Sequence, residues 1–117
     1  MSTFQLAILD EAKEFLQSLP RQAYKKILYN IDRVANGERN NELFKKLENT
    51  HIWEFRTLYD GIAYRLFAFW DTESQTLVVA THGIIKKTQK TPKKEIAKAE
   101  DIMKQYFELK KHLKWNK

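Results

Sequence analysis

Trp53 to Trp70 reads WEFRTLYDGIAYRLFAFW, and its centre, Asp60-Gly61, decides the fold. Aspartate followed by glycine between two runs of aromatic and β-branched residues marks a two-residue hairpin turn, because both central positions of that turn take positive φ. Before the turn, Trp53, Phe55, Thr57 and Tyr59 alternate with Ile52, Glu54, Arg56 and Leu58; after it, Ile62 to Trp70 continues as a strand. With two residues in the turn, Tyr59 faces Ile62, Thr57 faces Tyr64 and Arg56 faces Arg65. A three-residue loop would reverse this parity. Like charges set directly opposite destabilise a hairpin by a few tenths to about 1 kcal/mol. The arginine pair therefore has two readings: the two side chains share an anion with help from Glu54, or Glu54, diagonal to Arg65 on the same face, neutralises them as part of the structure.

Outward from the hairpin, Asp71 to Gln75 is a polar turn, and Leu77 to Ile85 is a nearly continuous apolar run suited to a third antiparallel strand buried on both faces. Toward the N-terminus, Phe4 to Leu9 reads as a short strand. Asp10 then caps a helix carrying Ala12, Phe15, Leu16 and Leu19 on one side. Pro20 separates this helix from a second, where Ala23, Ile27, Ile31 and Val34 recur at helical spacing until Asn36-Gly37 stops the pattern. The two form a helical hairpin. Between Glu38 and Thr50 the chain is mostly polar, and an extra helical turn is expected over Glu42 to Lys46. Thr91 and Pro92 fit the N-cap and first turn of a terminal helix whose buried stripe is Ile96, Ala99, Met103, Tyr106 and Leu113. The expected architecture is one α+β domain from Met1 to Lys117.

At 117 residues, with 43% hydrophobic and 13% aromatic residues, the chain can bury a two-layer core and is not a disordered basic tail. There is no cysteine, and the three histidines are scattered, which excludes a disulfide frame or thiolate site and speaks against zinc; no metal or other cofactor is expected. No apolar stretch approaches the ~20 residues that span a bilayer, and the start lacks a secretory pattern, so no membrane association and a cytoplasmic location are expected. The net charge of +6 is unevenly spread. Met1 to Thr81 holds 10 basic against 11 acidic residues, whereas His82 to Lys117 holds 11 lysines against 4 acids, a net of −1 against +7.

Within that basic third, HGIIKKTQKTPKK, His82 to Lys94, joins an apolar strand end to a helix start. Lys86, Lys87, Lys90, Lys93 and Lys94 are either solvated surface or, where cations gain nothing from a helix N-terminus, a group compensated by an anion. The second reading points to a nucleic-acid ligand. Lys104, Lys110, Lys111, Lys114 and Lys117 read as a solvent face with general attraction for nucleic acid. His82 has the right ordinary pKa for a general acid or base, yet it sits in an apolar strand, as a hydrogen-bonded structural histidine does. Trp53, Phe55, Tyr64, Phe67, Phe69 and Trp70 read as core, and Gly83 as a bulge or a close approach by a ligand.

The element order, with Lys46-Leu47, Trp53-Glu54-Phe55-Arg56, Tyr64-Arg65 and HGIIKKTQKTP followed by Glu95, Ile96 and Ala99, resembles the HigB-like branch of the RelE/ParE toxin superfamily. That resemblance implies a small twisted antiparallel sheet with a helical hairpin on one side. It also implies a type II toxin: a metal-independent endoribonuclease that cuts mRNA in the ribosomal decoding site, inhibits translation and is silenced by an antitoxin protein. Position by position, Arg65 resembles the basic middle-strand residue that supports phosphate contact, Lys86 and Lys87 the basic strand end, and Arg56 a family arginine of the preceding strand. Arg56, Arg65, Lys86 and Lys87 would form the catalytic clamp, Glu54 or His82 would transfer the proton, and Lys46, Lys90, Lys93 and Lys94 would hold RNA. Ile52 and Glu54 stand where RelE itself has lysines, and a long C-terminal helix replaces its short tail. Rival readings are a ParE-like gyrase inhibitor and a basic RNA-binding module without chemistry.

Overall fold

The structure is a computed structural model that describes residues 4–73, 77–87 and 90–115, with side chains as far as Leu113. In chain order the elements are β1 (Gln5–Ile8), α1 (Asp10–Gln17), α2 (Arg21–Ala35), β2 (Phe44–Lys46), β3 (Trp53–Tyr59), β4 (Ile62–Trp70), β5 (Leu77–Lys86) and α3 (Lys93–Trp115). The end of the expected turn, Ser74 and Gln75, lies outside the described residues, as do Thr88 and Gln89 of the lysine-rich motif, Lys117 and the side chain of Lys114.

The strands form one sheet in the order β1-β5-β4-β3-β2. The fold is α+β, as the resemblance implies, with one correction: β1 pairs parallel to β5, so the sheet is mixed and only its other pairings are antiparallel. A parallel neighbour needs a long connection, and α1, α2 and the β2–β4 meander between β1 and β5 supply it.

Alternation along the strands splits the interior in two. Leu66 and Ala68 of β4 and Phe55 of β3 pack with Ala12, Leu16, Ala23 and Ile27 of the helical hairpin. Phe67 and Phe69, both fully buried, face the opposite way and meet Ile96, Ala99, Met103, Tyr106 and Phe107 of α3. The period-2 pattern thus makes β4 the middle of a three-layer sandwich. Each fully buried large side chain contributes about 1.5–3 kcal/mol. Leu113, expected in the stripe of α3, is 59% exposed. Phe107 takes up the packing that spacing had allotted to it, because the sheet ends before the last turns of the helix.

Local signals also need correction. Leu9 is the N-cap of α1 and makes no side-chain cap bond; Asp10 is instead the first helical residue, where its charge favours the helix dipole. Glu42 to Lys46 is not helical. The chain turns at 41–43 and enters β2, where Phe44 stacks on Phe55 (4.4 Å) and Trp53 (4.7 Å), a contact that a helical turn would forfeit. Pro92 carries the carbonyl that accepts the first backbone bonds of α3, from Glu95 and Ile96, so it caps rather than opens the helix. Gly83 is approached by Phe15 of α1, not by a ligand: an added Cβ would lie 2.2 Å from Phe15 Cδ2. The bulge falls earlier, where Phe67 pairs with His82 and Ala68 with Ala80, leaving Thr81 as the extra residue. Lys110 does not belong to a free solvent face either. It donates to buried Asp71 (2.6 Å), as does the Tyr106 hydroxyl (2.6 Å), fastening α3 to the end of β4. Burial, with that hydrogen bond, pushes the Tyr106 phenol up to about 12.

Candidate nucleic-acid interface

Asp60 and Gly61 take φ of 51° and 75°, the two positive values that a two-residue turn of this hand demands, and the register follows from them. Arg56 is paired with Arg65, Thr57 with Tyr64 and Tyr59 with Ile62. Directly opposed residues share a face, so both guanidinium groups lie on the α3 side of the sheet. Glu54 lies on that side too, opposite Phe67. Its carboxylate is 2% exposed and stands 3.5 Å from the Nε of Arg56 and 3.5 Å from the Nε of Arg65. Neither Nε is within hydrogen-bonding geometry of any acceptor. Arg65 also donates through Nη1 to its neighbour's carbonyl at Tyr64 (3.1 Å), and Arg56 through Nη1 to the carbonyl of Asn41 (3.1 Å).

β5 adds Lys86 on the same face, opposite Ala63 and one diagonal step from Arg65. β2 adds Lys45, paired with Glu54. Four cations therefore crowd one buried carboxylate. The cost is visible at two of them: burial and then Arg56 depress the Arg65 pKa, and burial and then Arg65 depress that of Lys86, with Glu54 only partly offsetting each. An excess of desolvated positive charge is what an incoming anion relieves. A cleft of about 450 Å³ opens beside it, lined by Lys26 and Arg33 of α2, by the 42–43 turn and by Arg56 and Arg65 of the hairpin.

Thr91, which spacing marks as a helix cap, donates its hydroxyl to Glu54 at 3.0 Å. This hydrogen bond draws the entry of α3 to the cluster. Lys90 sits one residue before it, and Lys93 and Lys94 open the helix, all three exposed. Lys87 follows the end of β5 and is exposed. Lys46 pairs with Trp53 and so lies on the opposite face from the cluster.

His82 is 3% exposed and has both ring nitrogens engaged: Nδ1 with the Thr81 hydroxyl (3.0 Å) and Nε2 with the Glu95 carboxylate (3.1 Å). Burial depresses its pKa, and the Glu95 contact opposes that only in part. This is the setting of a neutral structural histidine joining β5 to α3, in a separate cleft with Glu11 and Lys98.

The structure thus gathers Arg56, Arg65, Lys86 and Glu54, and leaves Lys46 and His82 elsewhere. Reading the sequence missed Lys45 and Thr91. The alternation that places Glu54 inward would have placed Lys45 beside it, had β2 been recognised as a strand. Nothing in the sequence announces Thr91, whose contact with Glu54 joins residues 37 positions apart.

The family described as Phage derived protein Gp49-like matches residues 14–104. Among solved structures, an arginine-to-alanine double mutant of the Escherichia coli toxin RelE in the free state superposes with a TM-score of 0.54 at 17% identity, covering 71% of this chain and 82% of that one. The toxin–antitoxin complex RelBE2 from Mycobacterium tuberculosis matches with a TM-score of 0.47 at 22% identity, over 72% of this chain and 99% of that one. No curated protein matches.

Proposed function

We propose that this chain, which belongs to the Phage derived protein Gp49-like family, is the toxin of a toxin–antitoxin pair and cuts mRNA held in the ribosomal decoding site. One observation carries the reading. Two arginines and a lysine, on three consecutive strands of a RelE-like sheet, converge on one face around a single buried carboxylate and leave net positive charge beside an open cleft. The sequence features of the HigB-like branch support the same activity.

Cleavage of this kind needs the ribose 2′-hydroxyl aligned with the adjacent phosphorus. The 2′-oxygen forms a bond to phosphorus and loses its proton, the bond to the 5′-oxygen breaks, and that oxygen takes up a proton. Preplaced cations stabilise the pentacoordinate state between, and one such donor accounts for about 10²–10³ in rate. Arg56 and Arg65 supply the fixed charge, and guanidinium groups suit phosphate geometry. Lys86, its ammonium destabilised by burial and by Arg65, can exchange a proton more readily than an ordinary lysine. Glu54 is the counter-ion that orients both arginines, since its burial keeps it from the substrate. A ribosome that holds the message reduces what the protein itself must align. Lys45, Lys87 and the lysines at the start of α3 attract the RNA backbone, and a cognate antitoxin masks the basic face.

Inducing the chain in bacteria is expected to arrest growth, and Arg65→Ala to relieve the arrest while circular dichroism and solubility stay unchanged. Continued growth with the wild-type chain well expressed would contradict the toxin. Arrest with intact mRNA and poisoned gyrase would favour the gyrase-inhibitor reading instead.

A further inference from the structure

The two oxygens of Glu54 are used differently. Oε1 stands 3.5 Å from the Nε of Arg56 and 3.5 Å from the Nε of Arg65, while Oε2 accepts the Thr91 hydroxyl at 3.0 Å. A carboxylate beside a guanidinium ordinarily closes a two-bond fork, each oxygen taking one N–H. Arg33 does this in the same molecule, donating from Nε and Nη2 to the two carboxylate oxygens of Glu38. Neither Arg56 nor Arg65 has such a fork. Their Nε atoms are buried without a hydrogen-bond partner, although a carboxylate oxygen lies only 3.5 Å from each. A single free oxygen cannot close a fork, and Thr91 holds the other. Thr91 is half-buried and fixed from behind: it precedes Pro92, which restricts its backbone, and Pro92 carries the carbonyl on which α3 starts. Held midway, Glu54 offsets the repulsion between the arginines and neutralises neither, and the two side chains keep 27% and 10% exposure.

Resting on the nuclease reading above and deepening it, we infer that Thr91 is a positioning residue: by holding Oε2 it keeps Glu54 from pairing off with Arg56 or Arg65, so that both guanidinium charges stay uncompensated for an RNA phosphate. Without the hydroxyl the carboxylate turns, closes a fork with one arginine and neutralises it. The attraction of the site for a phosphate then falls by about the share of that arginine.

The experiment takes two readouts from the full chain: the arginine Nε–H signals by NMR, assigned with Arg56→Lys and Arg65→Lys, and the affinity for a non-cleavable 2′-O-methyl RNA oligonucleotide. In the wild type the Arg56 and Arg65 signals are expected where guanidinium groups without a hydrogen bond at Nε lie, apart from that of Arg33. Thr91→Val keeps the side-chain shape and removes the donor. It is expected to move one of the two signals into the hydrogen-bonded range and to weaken RNA binding about tenfold, the scale of one charge-assisted contact. Thr91→Ser keeps the donor and is expected to return both readouts to the wild-type values. A hydrogen bond that merely fastened α3 would leave the Nε signals in place. Unmoved signals in Thr91→Val therefore overturn the inference, as does a moved signal with unchanged RNA affinity. Where Thr91→Val does not fold, Thr91→Ala carries the same test. No affinity of the wild type for the oligonucleotide overturns the nuclease reading; the Nε signals then still decide whether Thr91 positions Glu54.

Discussion

At Glu54 one carboxylate sits between two guanidinium groups, and it does so while nearly fully buried. Removing one member of such a group is far more costly than replacing the whole group, because the charges left behind stay desolvated and repel each other. Glu54→Ala is accordingly expected to destabilise the fold by about 3–5 kcal/mol, read from urea unfolding. The double change Glu54→Ala with Arg65→Leu should recover part of that loss. A loss under about 1 kcal/mol in the single variant would mean that the arginines are solvated and that Glu54 orients nothing. The sequence places Glu54 on the right face and leaves its role between two readings. The structure adds two neighbours that the sequence does not reveal: Thr91, 37 residues away, and Lys45, on a strand that the polar composition of 38–50 conceals.

The hairpin is the element on which the site depends, since its turn sets which side chains oppose. Asp60-Gly61 is legible because two positive φ values in succession select glycine and its few substitutes. An added Cβ at Gly61 meets nothing within 4 Å, so the strain of φ +75° is the whole effect of Gly61→Ala. We expect a loss of about 1–2 kcal/mol by thermal or urea denaturation, with the Arg56–Arg65 register preserved in NMR cross-strand contacts. A neutral substitution would mean that the turn is not held in this conformation. The same local logic reads α2 correctly and misreads the two other helix starts. Leu9 and Pro92 occupy the capping positions where aspartate and threonine are the usual signals, because Asp10 enters the helix itself and the Thr91 hydroxyl is drawn to Glu54. Periodicity likewise finds the stripe of α3 but not where the sheet stops beneath it, and Leu113 is left exposed. The parallel pairing of β1 has no local signal, since a four-residue strand reads the same whichever way its neighbour runs.

Across the molecule, the last third carries most of the net charge, yet the gathered cluster draws Lys45, Arg56 and Arg65 from the nearly neutral part and only Lys86 from the basic part. Helix α3 serves largely to close the second core, fastened by Asp71 to Tyr106 and Lys110, by Glu95 to His82 and by Glu11 to Lys98. No helix among the described residues is long and apolar enough to cross a membrane. His82 makes this assembly sensitive to pH. Its folded pKa is depressed below the ordinary 6.5, so on acidification the unfolded chain takes up a proton that the folded chain resists. The stability it contributes is complete above about pH 6.5 and falls as the pH drops below that value. The carboxylates of Glu11, Glu38 and Asp71, also held below their usual range, add losses of the same sign only below about pH 4.5. Unfolding free energy should therefore decline between pH 6.5 and 4.5, and His82→Gln should flatten that decline; an unchanged slope would show that His82 titrates alike in both states. The central claim, that convergent cations on one sheet face cut RNA, is met most directly by mapping mRNA 5′ ends after induction in bacteria. New 5′ ends inside translated frames with the wild-type chain, absent with Arg65→Ala at equal expression, are the predicted result. The same ends in both, or none in either while growth stops, would contradict it.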